Sequence, residues 1–563
     1  MVSELRPFIK YLLLLAFGAL LILPGLSSRP FHSRGEAREA LVAQDMFASS
    51  NYILPRGYSG VVPSKPPMLH WLISLAAGLC GEVDELSSRL PSALCSIIFC
   101  LGFFAFLQAR TDPRAAFLAP LILVSSAEWL RSSSVARVDM TFSVFMAGAL
   151  ISSYVWIEEK RSRGVPCFPV IFLSLATLAK GPVALVLAAA ILGVHTLFGT
   201  ERSKVVKWIT PIVLIVLPAL LLPLVWYLLA AREGGEAFVE KIHYENVARF
   251  LGTQEDQPHK HGVFYLFGAL LVGLLPWSIL FLALPVLGRA RAIFKNLVSR
   301  FLALPPYERL FIMAIAAFLA FFSIPSGKRG VYLLPVYPFI AYFAAKLALA
   351  LSDRKTALLT GLCRASGILV ILVCALAALA SLRPDLLHAV LEPKAQIQFE
   401  FYQGLITGLF SNFMLLQTGL AALPFALALV LLFVRKKYCG QAFLAMYASF
   451  ALILNLHFLP RLANEISPKG AAAWVNATIP KSEQLYSFGY EFYGLSFYAE
   501  RKIMRLEESQ DSATAVILYE NDLEELAERL GENSLTYEVV GRSPQAVDKP
   551  FSQVVLVRVT ANA

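Results

Sequence analysis

Apolar runs of membrane-crossing length recur along the chain at about residues 8–28, 88–108, 115–130, 138–157, 167–179, 182–198, 208–230, 263–287, 309–324, 331–351, 357–381, 411–434 and 441–460. A bilayer core about 30 Å thick needs roughly 20 residues of helix, so the pattern predicts a polytopic α-helical membrane protein with about 13 transmembrane helices. The runs at 115–130, 167–179 and 309–324 are short for a full crossing. At the N-terminus, Arg6 and Lys10 precede the apolar stretch Tyr11–Leu26, which reads as a retained span rather than a cleaved signal. Pro66–Cys80 is apolar but too short to span. It is expected to lie as a half-buried helix at the outer interface, opened by its Pro pair, with His70 and Trp71 near the head groups.

Beyond Asn464 the pattern changes. Helices are predicted at Pro468–Ile479 and Asp522–Leu530. Strands are predicted at Gln484–Phe488, Ala515–Tyr519, Thr536–Val540 and Gln553–Val559, from their β-branched and aromatic content. The chain therefore divides into a membrane domain, residues 1–462, and a small soluble α/β domain, 463–563. Residues 29–87 form a long charged loop after the first span.

Composition and charge sharpen this picture. The chain is 57% hydrophobic and 16% charged, against roughly 45–50% and about 25% in soluble proteins. The net charge of +10 is no nucleic-acid footprint, because the cations fall in short clusters between apolar runs. With the N-terminus inside, the clusters at Arg110 and Arg114, Lys160–Arg163, Arg202–Lys207, Arg289–Arg300, Arg354 and Lys355, and Arg435–Lys437 all lie on the inner side. Residues 29–87, 131–137, 231–262, 325–330, 382–410 and the C-terminal domain then lie outside. Seven scattered cysteines without a CxxC spacing argue against a disulfide framework or a zinc site.

The outer loops carry the candidate chemistry, since ionisable residues near membrane depth are functional candidates. Gly35–Met46 has helical character, with Glu36 and Glu39 on one face. Glu36 reads as a general base or divalent-ion ligand and Arg38 as a phosphate clamp, or else the segment is a solvated amphipathic helix. Lys65, before Pro66 and Pro67, reads as an anion site at a helix start or as a snorkelling lysine. Asp139 is a cavity carboxylate or an ordinary helix-start residue. Lys180 is a phosphate contact or a turn residue. Lys328 and Arg329, followed by Tyr332, occupy a short outer turn that has no topogenic reason to be basic. His259 and His261 stand two apart with no carboxylate pattern to complete a metal site. The outer face is remote from nucleotide sugars and ATP, so a transferase there needs a membrane-borne donor, such as a polyprenyl phosphate.

In order along residues 1–340, the motifs resemble those of polyprenyl-phosphate-dependent glycosyltransferases of the GT-C class. The similarity is to the ArnT-like branch related to protein O-mannosyltransferases. Gly35-Glu36-Ala37-Arg38-Glu39-Ala40 through Met46 resembles the family's D-E-x-R-Y-A pattern. Ser50-Asn51-Tyr52 through Pro55 loosely resembles G-D-W-x-x-P, and Ser64-Lys65-Pro66-Pro67 through Trp71 is similar to E-K-P-P-x-x-Y-W. Ser88-Arg89-Leu90-Pro91-Ser92-Ala93, Leu178–Pro182, Leu275–Ser278 and Ser326-Gly327-Lys328 with Tyr332–Pro335 follow. The later spans and the C-terminal domain match in layout only.

The resemblance implies a GT-C fold and a donor phosphate held by Arg38 and Lys65, helped by Lys328, Arg329 and Lys180. Tyr332, His70 and Trp71 would line the substrate cavity. Gly35 stands where the family has Asp, and Glu39 where it has Tyr, so the base role passes to Glu36, Asp139 or Glu39. No cofactor is certain; a divalent metal ion, if used, would sit on Glu36 or Asp139. The expected activity is sugar transfer from undecaprenyl phosphate to lipid A, lipopolysaccharide or another envelope acceptor. It would occur on the periplasmic face of a bacterial inner membrane, with the enzyme acting as a monomer and binding no nucleic acid. Protein O-glycosylation is the second enzymatic reading. A transporter or flippase of lipid-linked sugars is the third, although no internal repeat marks one.

Overall fold

The structure, a computed structural model, describes residues 6–55, 63, 65–159, 163–198, 205–245, 260–284, 297–383, 385, 399–405, 415–506, 514–532, 535–548 and 552–561. His259, Ser64 and much of the basic clusters at 160–163, 202–207 and 289–300 lie outside these residues.

Among the described residues, seven helices are long and apolar enough to cross a membrane. An eighth crossing is counted if Tyr265–Gly273 and Trp277–Ala283, bent by 114°, form one span. Five of the shorter apolar helices, Pro7–Ile22, Pro113–Val124, Cys167–Lys180, Val183–Leu197 and Ala422–Phe433, occupy the remaining predicted runs. Among the described residues each of the thirteen runs thus contains helix, and the run at 411–434 holds a helix from Leu415 to Phe433. The straight span expected at 263–287 is instead broken. Pro276 has no N–H to continue the helix, and the freed carbonyl of Leu275 accepts the Ala127 N–H at 2.9 Å. Gly273 permits the close approach, because a Cβ there would stand 2.0 Å from the Tyr337 hydroxyl.

The long first loop folds into two helices. Ser33 caps the helix Arg34–Ser49, its hydroxyl accepting the Glu36 N–H at 3.4 Å. The second helix begins at Met68, one residue after the Pro pair, and runs to Cys80. The C-terminal domain holds a mixed five-stranded sheet in the order β2-β1-β3-β5-β4. Its strands are β1 (Leu485–Ser487), β2 (Ile503–Arg505), β3 (Thr514–Tyr519), β4 (Leu535–Arg542) and β5 (Val554–Ala561). β2 and the helix Tyr493–Ala499 were not foreseen from the sequence. β2 is three residues long with only its first buried, so its pattern carries no alternation.

Side-chain alternation along β3 separates two cores. Val516 and Leu518 face Leu526 and Leu530 of the helix Leu523–Glu532. Ala515, Ile517 and Tyr519 face a core shared with the first loop, where Phe31, Ala40, Leu69 and Ile73 pack with Val475, Phe492, Leu495 and Phe497. The sheet domain therefore does not stand apart: it completes the burial of the first loop. Phe31 meets Phe497 edge-on at 5.1 Å, and its N–H donates to the Tyr498 hydroxyl at 2.7 Å.

Candidate active site

The site grows from the Arg34–Ser49 helix. On its buried side, Glu36 receives Arg89 Nε at 2.8 Å, Arg89 Nη2 at 3.4 Å and the Ala136 N–H at 3.1 Å. Arg89 rises from the first turns of the span Glu85–Gln108 and also donates to the carbonyls of Leu26 at 2.7 Å and Arg29 at 2.5 Å. Both side chains are almost wholly inaccessible, at 1% and 0%. Burial alone would raise the Glu36 carboxyl, but Arg89 draws it down to about 2. Burial, and then the like charge of Arg89, lowers the neighbouring Arg29 guanidinium to about 10. Glu36 therefore ties the first loop to the bundle and presents no open oxygen to a substrate. The sequence marked Arg89 only as part of a motif; a guanidinium about one turn inside a membrane-crossing helix was the signal that it has a buried partner.

One turn on, Glu39 accepts Arg38 Nη2 at 2.5 Å and lies 2.8 Å from His70 Nε2. Burial would raise this carboxyl, yet Arg38 and then His70 hold it well below the usual carboxylate range. Glu39 in turn raises Arg38. His70, 2% exposed, is a packed partner of Glu39 rather than a head-group residue. Trp71 donates its Nε1–H to the Tyr52 carbonyl at 2.8 Å. Lys65 reaches Glu245 at 3.0 Å. Arg38 keeps about a third of its side chain exposed, so the helix offers one accessible cation beside the Lys65–Glu245 pair.

A cavity of about 880 Å³ is lined in part by Glu128, Arg131, Arg137, Asp139, Lys328 and Arg329. Asp139, at the start of the span Val138–Glu159, takes the Lys180 ammonium at 2.6 Å, with Arg137 Nε 3.9 Å away. Lys180 lies over the rings of Phe142 at 5.1 Å and Tyr332 at 4.8 Å. Tyr332 thus supports Lys180 from behind. Lys328 is buried, donating to the carbonyls of His261 at 3.1 Å and Pro325 at 2.6 Å, so its ammonium acts as a fixed charge in the cavity wall. His261 stacks on Tyr265 at 3.8 Å.

The structure thus sets Asp139, Lys328 and Arg329 in the wall of one cavity, with Lys180 held by Asp139. Arg38, Glu39 and His70 form a separate group in the first loop, and Lys65 pairs with Glu245. Arg131, Glu128 and Glu245 join these groups without having been singled out, and Arg137, which the sequence offers only as a pairing partner for Asp139, lies 3.9 Å from it and lines the cavity. Their charge signal was diluted by loops counted only for topology. Neither Glu36 nor Asp139 fits a metal: each carboxylate faces cations, and among the described residues no three His, Cys, Asp or Glu side chains gather to bind one.

The geometry is a cationic cavity at one end of a helical bundle, with a small sheet domain packed on the first loop. Residues 64–227 match the family described as dolichyl-phosphate-mannose-protein mannosyltransferase. The fold is shared with ArnT of Cupriavidus metallidurans bound to undecaprenyl phosphate, at a TM-score of 0.70 and 18% identity over 98% of both chains. An uncharacterized protein of Aquifex aeolicus is 27% identical over 88% of both chains. The undecaprenyl phosphate-α-4-amino-4-deoxy-L-arabinose arabinosyl transferases of Edwardsiella ictaluri and Shewanella sediminis are 28% and 27% identical over 55% and 62% of this chain. Those matches span only 54% and 61% of the two transferases' own length. This multi-span membrane protein thus shares the fold of ArnT, and in sequence it is similar to the undecaprenyl phosphate arabinosyl transferases.

Proposed function

We propose that the protein transfers a sugar from a polyprenyl phosphate, undecaprenyl phosphate in the first instance, to an acceptor at the periplasmic face of the bacterial inner membrane. Lipid A or another part of lipopolysaccharide is the favoured acceptor. The reading is carried by one observation: a cavity walled by Arg137, Lys328 and Arg329, beside the Asp139–Lys180 pair, at the mouth of a membrane bundle. The donor and acceptor classes are supported by the names of the arabinosyltransferases to which the chain is similar.

The chemistry follows from charge. As the bond from the anomeric carbon to the lipid phosphate breaks, negative charge grows on the leaving oxygen, and preorganised cations in a water-poor cavity stabilise it. Arg38 and Lys65 hold the donor phosphate from the first loop, and Lys328 and Arg329 supply fixed charge from the cavity wall. Lys180 holds Asp139 at the reacting end. Glu39 fixes Arg38, and His70 fixes Glu39. The periplasmic assignment is supported by the separation of the basic groups. Arg110 with Glu159 at 2.6 Å and Arg114 with Asp353 at 3.1 Å belong to the loops read as cytoplasmic, and none of the four lines the cavity.

The protein O-glycosylation reading keeps one point in its favour, the mannosyltransferase family match over 64–227. A purified full-length protein given undecaprenyl-phosphate aminoarabinose, with either lipid A or a Ser/Thr-rich peptide, separates the two by mass spectrometry of the products. Modified lipid A is expected. Peptide glycosylation alone would move the protein to the second reading, and unconsumed donor with both acceptors would overturn the first.

A further inference from the structure

Lys65 already holds an anion of the chain's own. Its ammonium lies 3.0 Å from the Glu245 carboxylate, and the two side chains keep only 22% and 14% of their surface in solvent. Poor access to water strengthens such a pair. Glu39 is the main group that keeps Arg38 charged, and Tyr493 and Glu245 add to it. The Glu245 carboxylate therefore acts on both cations assigned to the donor phosphate.

Glu245 follows the long helix Val205–His243, which is broken within. Before the break the helix is pinned to the first loop: Trp226 donates its Nε1–H to the Ile53 carbonyl at 3.0 Å, and Glu233 accepts Asn51 Nδ2 at 2.5 Å. The break is Gly235, whose φ of 62° and ψ of −150° suit glycine alone. Beyond it the chain holds on lightly. Phe238 is buried, but Glu236, Val239, Glu240, His243 and Tyr244 are exposed. A carboxylate carried on a segment with so few buried contacts can yield its partner at small cost.

Charge then separates donor from product. The donor phosphate, esterified to both sugar and lipid, carries a single negative charge. When the bond from the anomeric carbon to the phosphate oxygen breaks, its electron pair stays on that oxygen and the sugar passes to the acceptor. The lipid phosphate left behind is a monoester with about 1.5–2 negative charges at pH 7. At Lys65 alone the product would be held more tightly than the donor. Beside a carboxylate, the added charge loses to Glu245 much of what it gains from Lys65.

We propose that Glu245 competes with the phosphate for Lys65 and is the positioning residue for product release: it gives up the lysine to the singly charged donor and takes it back from the more highly charged lipid phosphate. This rests on the polyprenyl-phosphate reading above and adds to it the step that ends the cycle.

The test uses the purified full chain with undecaprenyl phosphate as probe, and with undecaprenol, which lacks the phosphate, as control. Affinity is measured by thermophoresis. Glu245→Gln should bind undecaprenyl phosphate about fivefold more tightly, the scale of a partly exposed ion pair, and undecaprenol no differently. Glu245→Asp should stay near the wild type. The gain should vanish when Lys65→Ala is already present. In turnover with undecaprenyl-phosphate aminoarabinose and lipid A, Glu245→Gln should lower kcat and donor KM together, show a burst in the first turnover, and be inhibited by about fivefold less added undecaprenyl phosphate. An unchanged affinity, or one weakened as in Lys65→Ala, would overturn the proposal. Equal tightening towards undecaprenol, or tightening that persists in Lys65→Ala, would overturn it too. If undecaprenyl phosphate binds and no sugar is transferred, the transferase reading fails while the affinity ratio still decides the role of Glu245; if it binds to neither protein, both fall.

Discussion

Replacing Glu36 by Gln would leave the Arg89 guanidinium charged in a place with no water to receive it. Arg89 is fully buried, and two of its remaining contacts are neutral carbonyls. Removing one member of a buried pair costs about 3–5 kcal/mol. The lowered carboxyl points to the same scale. The Glu36 carboxyl sits at about 2 in the folded protein against an ordinary 4.5, and a displacement of that size corresponds to about 3 kcal/mol. Because the folded value is the lower one, this stabilisation is fully present above about pH 4.5 and is lost as pH falls towards 2.

The assay is the apparent melting temperature of detergent-purified protein, read with cleavage of the first loop by added protease. Glu36→Gln and Arg89→Met should each melt well below the wild type and expose the loop. Their combination should lose less than the two single losses together, since neither charge is then stranded. A Glu36→Gln protein with wild-type melting and no turnover would refute the structural account and return Glu36 to the role of base.

The other outcomes concern donor binding and the packing of the C-terminal domain on the first loop. Lys65→Ala should weaken undecaprenyl phosphate binding about tenfold or more, the scale of a lost hydrogen bond to a charged group, as read by ligand-induced thermal stabilisation; an unaltered affinity would remove Lys65 from the phosphate site. Phe31→Ala should cost about 3–5 kcal/mol and loosen the C-terminal domain from the first loop, measured as faster proteolysis near residue 467. Gly494→Ala should destabilise by about 1–3 kcal/mol through overpacking, because the added Cβ would stand 2.4 Å from Pro468 Cγ; unchanged melting would show that this contact yields freely. Glu491→Gln, which breaks a partly exposed pair with Arg34, should change stability by less than about 1 kcal/mol.

The sequence by itself determined where the helices are, because a bilayer demands long uninterrupted apolar runs and leaves that demand visible in one dimension. It also determined the strands that alternate strongly, such as β3 and β5, and the short basic turns at the span ends. Motif order carried the class of enzyme. What it could not determine is which charge meets which. Glu36 and Glu39 read alike on one helix face, yet the fold gives one to Arg89, 53 positions away in the chain, and the other to Arg38 and His70. The three-residue β2 was silent because it is held by its neighbours rather than by a pattern of its own. Gly35 read as a missing acid. Only the fold, by bringing Arg137 to it from another helix, decided that a side chain has no room there, since a Cβ would stand 1.7 Å from Nη1 of Arg137. Pairing between distant residues depends on through-space distance and on burial, and neither is written in local periodicity.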